Sequence, residues 1–242
     1  MKITTNADEH FKSLNERIRA CADTEIRVEG CMGQRYIAAG SRGKKIEICG
    51  VPGNALGAYL DGSDVIIHGN VQDQTGDTMN GGSIVVYGSA GDATGYAMRG
   101  GKIFVRGDVG YRTGIHMKAY GETFPVIVAG GRAGSFLGEY LAGGVIVVLG
   151  GNTDGLPVVG NFCASGMHGG AIYLRCEKLP HVLNEQISAE KKRGTQLKEI
   201  HGILREYCGI FGLSFEETID ADFFVLTPDM ANPYRQLYTG NR

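Results

Sequence analysis

The sequence lacks the short motifs that mark most cofactor and catalytic sites. No G-x-G pair occurs, so the fingerprint of dinucleotide-binding folds is absent, and so is the Walker A loop of nucleotide-binding proteins. Neither the G-x-S-x-G elbow of hydrolases nor the H-E-x-x-H motif of zinc proteases is present. The cysteines form no C-x-x-C pair, which argues against a zinc or iron–sulfur centre. We therefore predict no catalytic, cofactor-binding or metal-binding residues in this chain.

Long apolar runs and blocks of like charge are also missing. No apolar stretch reaches the length of about 18 residues that a transmembrane helix needs. The polar N-terminus lacks the apolar core of a signal peptide. The net charge is −2, without a basic run, which disfavours nucleic acid or a membrane surface as a partner. Six scattered cysteines in such a chain are typical of reduced core residues, so we predict a cytoplasmic protein.

Glycine, by contrast, is abundant, with 39 in 242 residues. Only 6 prolines accompany them, which excludes a collagen-like chain, and 43% of the residues are hydrophobic, which excludes disorder. The glycines therefore indicate a folded protein with many turns.

The glycines and the aliphatic residues recur with a period of about 19 residues, and such regularity is typical of repeat architectures. Within 81–114, Gly88 falls on Gly107 and Ile84 on Ile103 when the sequence is shifted by one period. Each repeat begins with a short apolar strand, and the strand starts are Ile26, Ile46, Val65, Ile84, Ile103, Ile127, Ile146 and Ile172. Two longer intervals contain insertions, one near 120–124 and one between 150 and 167.

The repeat predicts the fold class. The strand start and the second residue after it are apolar, so these side chains point to one side, and glycines follow where turns are needed. A left-handed helix of hexapeptides has about 18 residues per coil and does not match this period. We therefore predict an all-β solenoid, a single-stranded right-handed parallel β-helix, with N-terminal and C-terminal α-helical segments. The expected parts are an N-terminal helix in 1–24, the repeats in 25–178 and a helical cap in 179–242.

The two ends carry separate predictions. A helix is expected over 5–21, where Asn6 and Glu9 make a capping box. A second helical stretch is expected over 184–208, broken at Gly194 and stopped by Gly209. A short helix over 215–219 and an extended segment over 223–226 follow. We expect this tail to cap the edge of the last repeat.

The outward-facing positions of the predicted strands are unexpectedly apolar. From the strand start at Ile46 onward, the residue after each of the seven strand starts should face outward, yet six of these seven residues are apolar. This outward stripe comprises Glu47, Ile66, Val85, Phe104, Val128, Val147 and Tyr173. A long apolar stripe is unusual on a free surface, so we predict a cover. A terminal helix of this chain is favoured over a partner protein.

Polar residues are candidates for chemistry at three places. His68, His116 and His168 fit surface or turn positions, and none pairs with a nucleophile by spacing. Asp73, Asp92 and Asp108 fall in turns at unequal repeat positions, which favours turn formation over the acidic cluster of a polysaccharide hydrolase. A polar ladder and two arginines are interpreted as a solvated edge, and the alternative is a small positive patch that contacts a partner. The patch comprises Asp61, Asn80, Arg99 and Lys118, with Arg106 and Arg112.

The repeated G-x-x-G-x-x-x-G pattern, as in Gly88, Gly91 and Gly95, resembles the GXGXG domain of the glutamate synthase large (alpha) subunit. Segments 28–40, 79–101, 197–204 and 223–228 are also similar to that domain. A related domain occurs as a subunit of formylmethanofuran dehydrogenase. The resemblance implies a right-handed β-helix, and it implies the stand-alone, archaeal-type form of the domain.

The resemblance also implies a function. The chain would be a non-catalytic, organising subunit of an oxidoreductase that makes glutamate from glutamine and 2-oxoglutarate. FMN and iron–sulfur centres would be bound by partner subunits, and the partners would be the glutamine amidotransferase and synthase subunits. Alternatives are a scaffold in a formylmethanofuran-dehydrogenase-like redox complex and a carbohydrate-active β-helix. Assembly into a homo-oligomer is left open.

Overall fold

The computed structural model describes residues 1–151, 153–181 and 183–229. Within these ranges, eleven strands belong to one sheet. They are β1 Lys2–Thr4, β2 Glu25–Met32, β3 Lys45–Val51, β4 Asp61–His68, β5 Gly81–Val86, β6 Lys102–Val105, β7 Val126–Ala129, β8 Ala142–Val148, β9 Gly169–Arg175, β10 Ile187–Arg193 and β11 Asp222–Pro228. The α-helices in these ranges are α1 Phe11–Ala20, α2 Lys198–Phe211 and α3 Phe215–Ile219.

The register of the repeat is confirmed. Each strand from β2 to β8 pairs in parallel with the next, and the predicted strand starts are direct partners across the whole row. Ile46, Ile84 and Ile127, for example, are fully buried. Identical spacing along the chain therefore places similar aliphatic side chains above one another in a continuous apolar layer.

The predicted fold class, an all-β solenoid in the form of a right-handed parallel β-helix, is wrong. The strands form a single open, mixed sheet in the order β1-β2-β3-β4-β5-β6-β7-β8-β9-β11-β10, and β11 is antiparallel to both of its neighbours. The rest of each repeat is mostly turn. After the turn that follows each strand, the backbone of several repeats makes only isolated one-residue bridges, such as Val71 to Ala90 and Ala90 to Val109. One-residue bridges are too short to make a second strand per repeat.

The turns explain one class of repeated glycine. Gly138 has φ of 64°, and a Cβ added there would lie 2.5 Å from Cδ1 of the buried Ile172. A side chain at this position is therefore opposed both by the left-handed backbone and by Ile172, which begins the second repeat after the one that contains Gly138. This contact between repeats explains why the glycine recurs with the period.

The N-terminal helix is shorter than predicted. Helix α1 begins at Phe11, and its N-cap is His10, whose side chain accepts a hydrogen bond from a backbone amide of the first turn. The Asn6 side chain instead accepts from the amides of Asp8 and Glu9 at 3.0 Å each, which makes a turn before the helix. Strand β1 precedes this turn and pairs in parallel with β2. The predicted helix over 5–21 therefore began too early.

The first half of the C-terminal part differs from the prediction. Residues 187–193 form β10, because they pair antiparallel with β11, so the predicted helix over 184–208 is wrong there. Helix α2 continues past Gly209 and ends at Phe211, and its C-cap is Gly212, whose φ is 65°.

The rest of the tail follows the prediction. The short helix over 215–219 and the extended segment over 223–226 are confirmed. Because β11 pairs with β9, the expected capping of the last repeat by the tail is confirmed as well. Predictions about residues 230–242 lie outside the described residues.

Candidate functional surface

The outward stripe is covered by α2, as predicted. Phe104, Val128 and Val147 on the sheet are fully buried in one cluster with Leu204 and Tyr207 of the helix. Ile66, near the N-terminal end of the stripe, lies at the edge of this cluster and is only partly buried. The cover comes from within the chain, so this apolar face is not available to a partner.

Tyr207 anchors the helix on the sheet. Its hydroxyl donates a hydrogen bond to the Val105 carbonyl oxygen at 3.0 Å, and its ring meets Phe104 edge-on with centroids 5.7 Å apart. Burial raises the pKa of Tyr207, so the phenol stays neutral and keeps its hydrogen bond. An ion pair between Lys102 and Glu206 joins sheet and helix at the rim.

The aspartates build turns, as the sequence predicts. Oδ1 of Asp73 accepts from the Asp92 amide at 2.9 Å, and Oδ1 of Asp92 accepts from the Tyr111 amide at 2.8 Å. Oδ1 of Asp108 accepts from the Arg132 amide at 2.7 Å. Each carboxylate thus satisfies a backbone donor of the next repeat, and it holds neighbouring turns together.

Two substitutions at Asp92 distinguish the contribution of its hydrogen bond to stability from the contribution of its negative charge. Asp92→Ala is expected to lower the free energy of unfolding by about 1 kcal/mol, because it removes the acceptor of the Tyr111 amide. Asp92→Asn keeps an acceptor oxygen and is expected to stay within about 0.5 kcal/mol of the parent protein. Chemical denaturation measures both. Equal losses in the two variants would show that the charge, not the hydrogen bond, is what the fold requires.

The three histidines singled out in the sequence have separate environments. His68 is exposed, and its ring bonds a carboxylate oxygen of Glu47 at 2.6 Å. His116 stacks on Tyr140 with centroids 5.1 Å apart. His168 bonds the carbonyl oxygen of the glycine two residues before it. The structure therefore does not bring these rings together in one site.

The histidine of α2, His201, is buried, unlike a histidine at a surface or turn position. Its ring bonds the Gly194 carbonyl oxygen at 2.9 Å. This contact fixes the start of the helix against the segment that precedes it.

The candidate positive patch does not form as one unit. Asp61 is ion-paired with Arg42. Arg112 is ion-paired with Glu139 at 2.7 Å and lies over a tyrosine ring of its own turn. Arg106 instead lines a cavity between the sheet and α2. The repeat positions of these residues therefore did not predict their neighbours.

Sequence reasoning missed a row of aromatic rings on the turns, which we call the aromatic row. It consists of Tyr111, Phe136 and Phe162, with centroids 5.1 Å and 4.8 Å apart along the row. Phe162 is 64% exposed. The signal was present in the sequence, since Phe136 and Phe162 occupy the same place in successive repeats once the insertion after Gly150 is subtracted.

The cysteines behave as small apolar residues. All six are free, and Cys31, Cys163 and Cys208 are buried. Burial raises the pKa of Cys31 to about 11 and that of Cys163 to about 12, so these thiols stay protonated at neutral pH. In the part of the chain that the structure describes, no three His, Cys, Asp or Glu side chains group as metal ligands. None of the helices in that part is long and apolar enough to cross a bilayer.

The cavity at Arg106 has a volume of about 590 Å³. The ends of strands β6 to β9 form one wall, and the connection from α2 to α3 forms another. Arg175 lines the cavity beside Arg106, and carboxylates come from Asp108, Asp154 and Glu217. Both signs of charge thus surround one space.

Comparison with known proteins identifies the class of this molecule. The model of the GXGXG motif family matches residues 9–231, and the chain belongs to that family. This agrees with the resemblance to the GXGXG domain of glutamate synthase. The chain is also similar to the uncharacterized protein MJ1350 of Methanocaldococcus jannaschii, with 44% identity over 248 residues. That match covers 96% of this chain and 94% of the relative.

Proposed function

We propose that this chain is a non-catalytic, organising subunit of a cytoplasmic glutamate synthase-type oxidoreductase complex. Its partners are a glutamine amidotransferase subunit and a synthase subunit, and the latter carries FMN and the iron–sulfur centres. The observation that carries the proposal is membership of the GXGXG family, with a match over residues 9–231.

The environments of the polar residues support a structural role. Asp73, Asp92 and Asp108 each accept a backbone hydrogen bond from a neighbouring repeat. His201 fixes the start of α2 through a backbone oxygen. These groups hold repeats and helix in place, which suits a rigid body on which other subunits assemble.

The aromatic row is the surface that we assign to a partner subunit. Aromatic rings and arginines are enriched among the residues that dominate binding energy at interfaces. Here Phe162 is exposed, and the Arg112 guanidinium lies over the Phe136 ring at 5.2 Å. The outward stripe is already covered by α2, so it does not compete for this role.

Co-purification tests the proposal. The tagged chain, isolated from its native host, is expected to co-elute with an amidotransferase and with a flavin- and iron–sulfur-containing synthase. Omission of the chain from a reconstituted mixture should abolish glutamine-dependent glutamate formation. Co-elution with subunits of a different redox enzyme, or full activity without this chain, would rule out the proposal.

A matched pair of variants tests the assigned surface. Phe162→Ser is expected to weaken partner binding by at least about tenfold, the equivalent of about 1.4 kcal/mol. Tyr120→Ser is the control, because Tyr120 is 77% exposed and lies outside the aromatic row. It should leave partner affinity unchanged. Equal affinities for both variants would place the interface elsewhere.

A further inference from the structure

The cavity at Arg106 lies where the chain departs from its repeat. Gly151 and Asp154 belong to the insertion that follows β8, and Ser214 and Glu217 belong to the cap and body of the short helix after α2. The remaining lining comes from Tyr207 of α2 and from the sheet, with Arg106 directly after β6 and the second arginine at the end of β9. Two segments outside the repeat thus cover the ends of strands β6 to β9, which would otherwise be open to solvent.

Arg175 is held there without a carboxylate partner among the described residues. Its Nε donates to the Leu149 carbonyl oxygen at 2.6 Å, and the side chain is half-buried. Burial lowers the pKa of Arg175, and no carboxylate opposes this effect. A partly desolvated guanidinium costs free energy that a bound anion would offset.

Arg106 occupies the equivalent position in an earlier repeat. Both arginines come three residues after a strand start, and Gly130 and Leu149 hold this position in the two repeats between them. Three strand spacings separate the two backbones by about 14 Å, and the Tyr207 hydroxyl beside Gly130 and the Leu149 side chain line the cavity between them. Within the described ranges, the arginines in ion pairs are others, namely Arg17, Arg27, Arg42, Arg112 and Arg193.

The carboxylates around the cavity limit what can enter. Asp108 already accepts the Arg132 amide, and Glu217 lies on α3. Neither forms an ion pair with Arg106 or Arg175. Three acids beside two arginines disfavour a polyanion such as nucleic acid and leave room for a small ligand with few negative charges.

We propose that this cavity is a binding site for a small oxyanion-bearing molecule, whose phosphate or carboxylate group lies between Arg106 and Arg175. Guanidinium groups bind both kinds of oxyanion through paired, charge-assisted hydrogen bonds. The site is separate from the aromatic row and needs no partner subunit. Its test therefore stands or falls independently of the proposed function.

Calorimetric titration of the purified full chain tests the site, with sodium phosphate and disodium succinate as probes at constant ionic strength. At least one probe is expected to bind saturably at one site per chain. Arg175→Gln and Arg106→Gln should each weaken that binding at least about tenfold, since each removes a charged hydrogen-bond donor. Arg99→Gln removes an equal charge outside the cavity and should change the affinity less than about twofold.

The outcome distinguishes the ligand classes. Binding of phosphate alone assigns a phosphate-bearing ligand, and binding of succinate alone assigns a carboxylate-bearing one. Circular dichroism of each variant checks that it is folded. No saturable binding of either probe, or an equal loss in all three variants, would overturn the proposal, because the site would then be absent or merely a diffuse attraction.

Discussion

Alanine in place of Gly144 is expected to lower the free energy of unfolding by about 3–5 kcal/mol, the sum of a backbone and a packing penalty. Gly144 has φ of 100°, and it lies where the register of β8 shifts against β9. An added Cβ would lie 2.5 Å from the Pro125 carbonyl oxygen and 2.7 Å from the Cγ of the same residue. The sheet cannot move away without breaking the pairing of β8 with β7.

Two other glycines separate these penalties. Gly62 has φ of 93° but nothing within 4 Å of an added Cβ, so Gly62→Ala should cost only about 1–2 kcal/mol of strain. Gly202 lies inside α2 with equally open space, so Gly202→Ala should raise stability by up to about 1 kcal/mol. Urea denaturation of all three variants provides the comparison. If Gly62→Ala were as damaging as Gly144→Ala, the clash with Pro125 would have no role.

Removal of the Tyr207 side chain is expected to have the second large effect, a loss of about 3–5 kcal/mol in the free energy of unfolding. The residue is fully buried, bonds Val105 and packs tilted on Phe211 with centroids 4.8 Å apart. Tyr207→Ala leaves a cavity between α2 and the sheet, and it loosens the cover over the outward stripe. Increased binding of a hydrophobic dye should accompany the lower denaturation midpoint.

The conservative variant isolates the hydrogen bond. Tyr207→Phe keeps the ring and should cost about 1 kcal/mol, because the Val105 oxygen retains the Gly130 amide as a donor at 2.9 Å. Tyr120→Ala is the exposed control and should stay within about 0.5 kcal/mol of the parent protein. A loss for Tyr207→Phe as large as that for Tyr207→Ala would mean that the hydroxyl, not the ring, anchors the helix.

The repeat itself could be predicted from the sequence because its signal is local and periodic. Ile84 and Ile103 are one period apart and are direct partners in neighbouring strands. The cover over the outward stripe could also be predicted, since Val85 and Phe104 would otherwise be exposed to water. In each case a single physical requirement, the burial of apolar side chains, acts at a position that the period specifies.

What escaped prediction depends on contacts between distant segments. Residues 187–193 include Glu190, Lys191 and Lys192, a composition that favours helix, yet pairing with β11 makes them a strand. The period also did not reveal that each repeat contributes only one strand to the sheet. The prediction of a parallel β-helix was therefore wrong. Arg106 and Arg175 meet at one cavity only because the segments around α2 and α3 close over them.

The antiparallel end of the sheet has a consequence for the growth of such molecules. In a row of similar parallel strands, the last strand has unpaired backbone groups like those of any other edge. Such an uncovered edge can pair with strands of other chains and cause aggregation. Here the direction reverses at β11, and the outermost strand, β10, presents the charges of Glu190, Lys191 and Lys192. Termination of the sheet is therefore encoded apart from the repeats, in the tail that supplies β10 and β11.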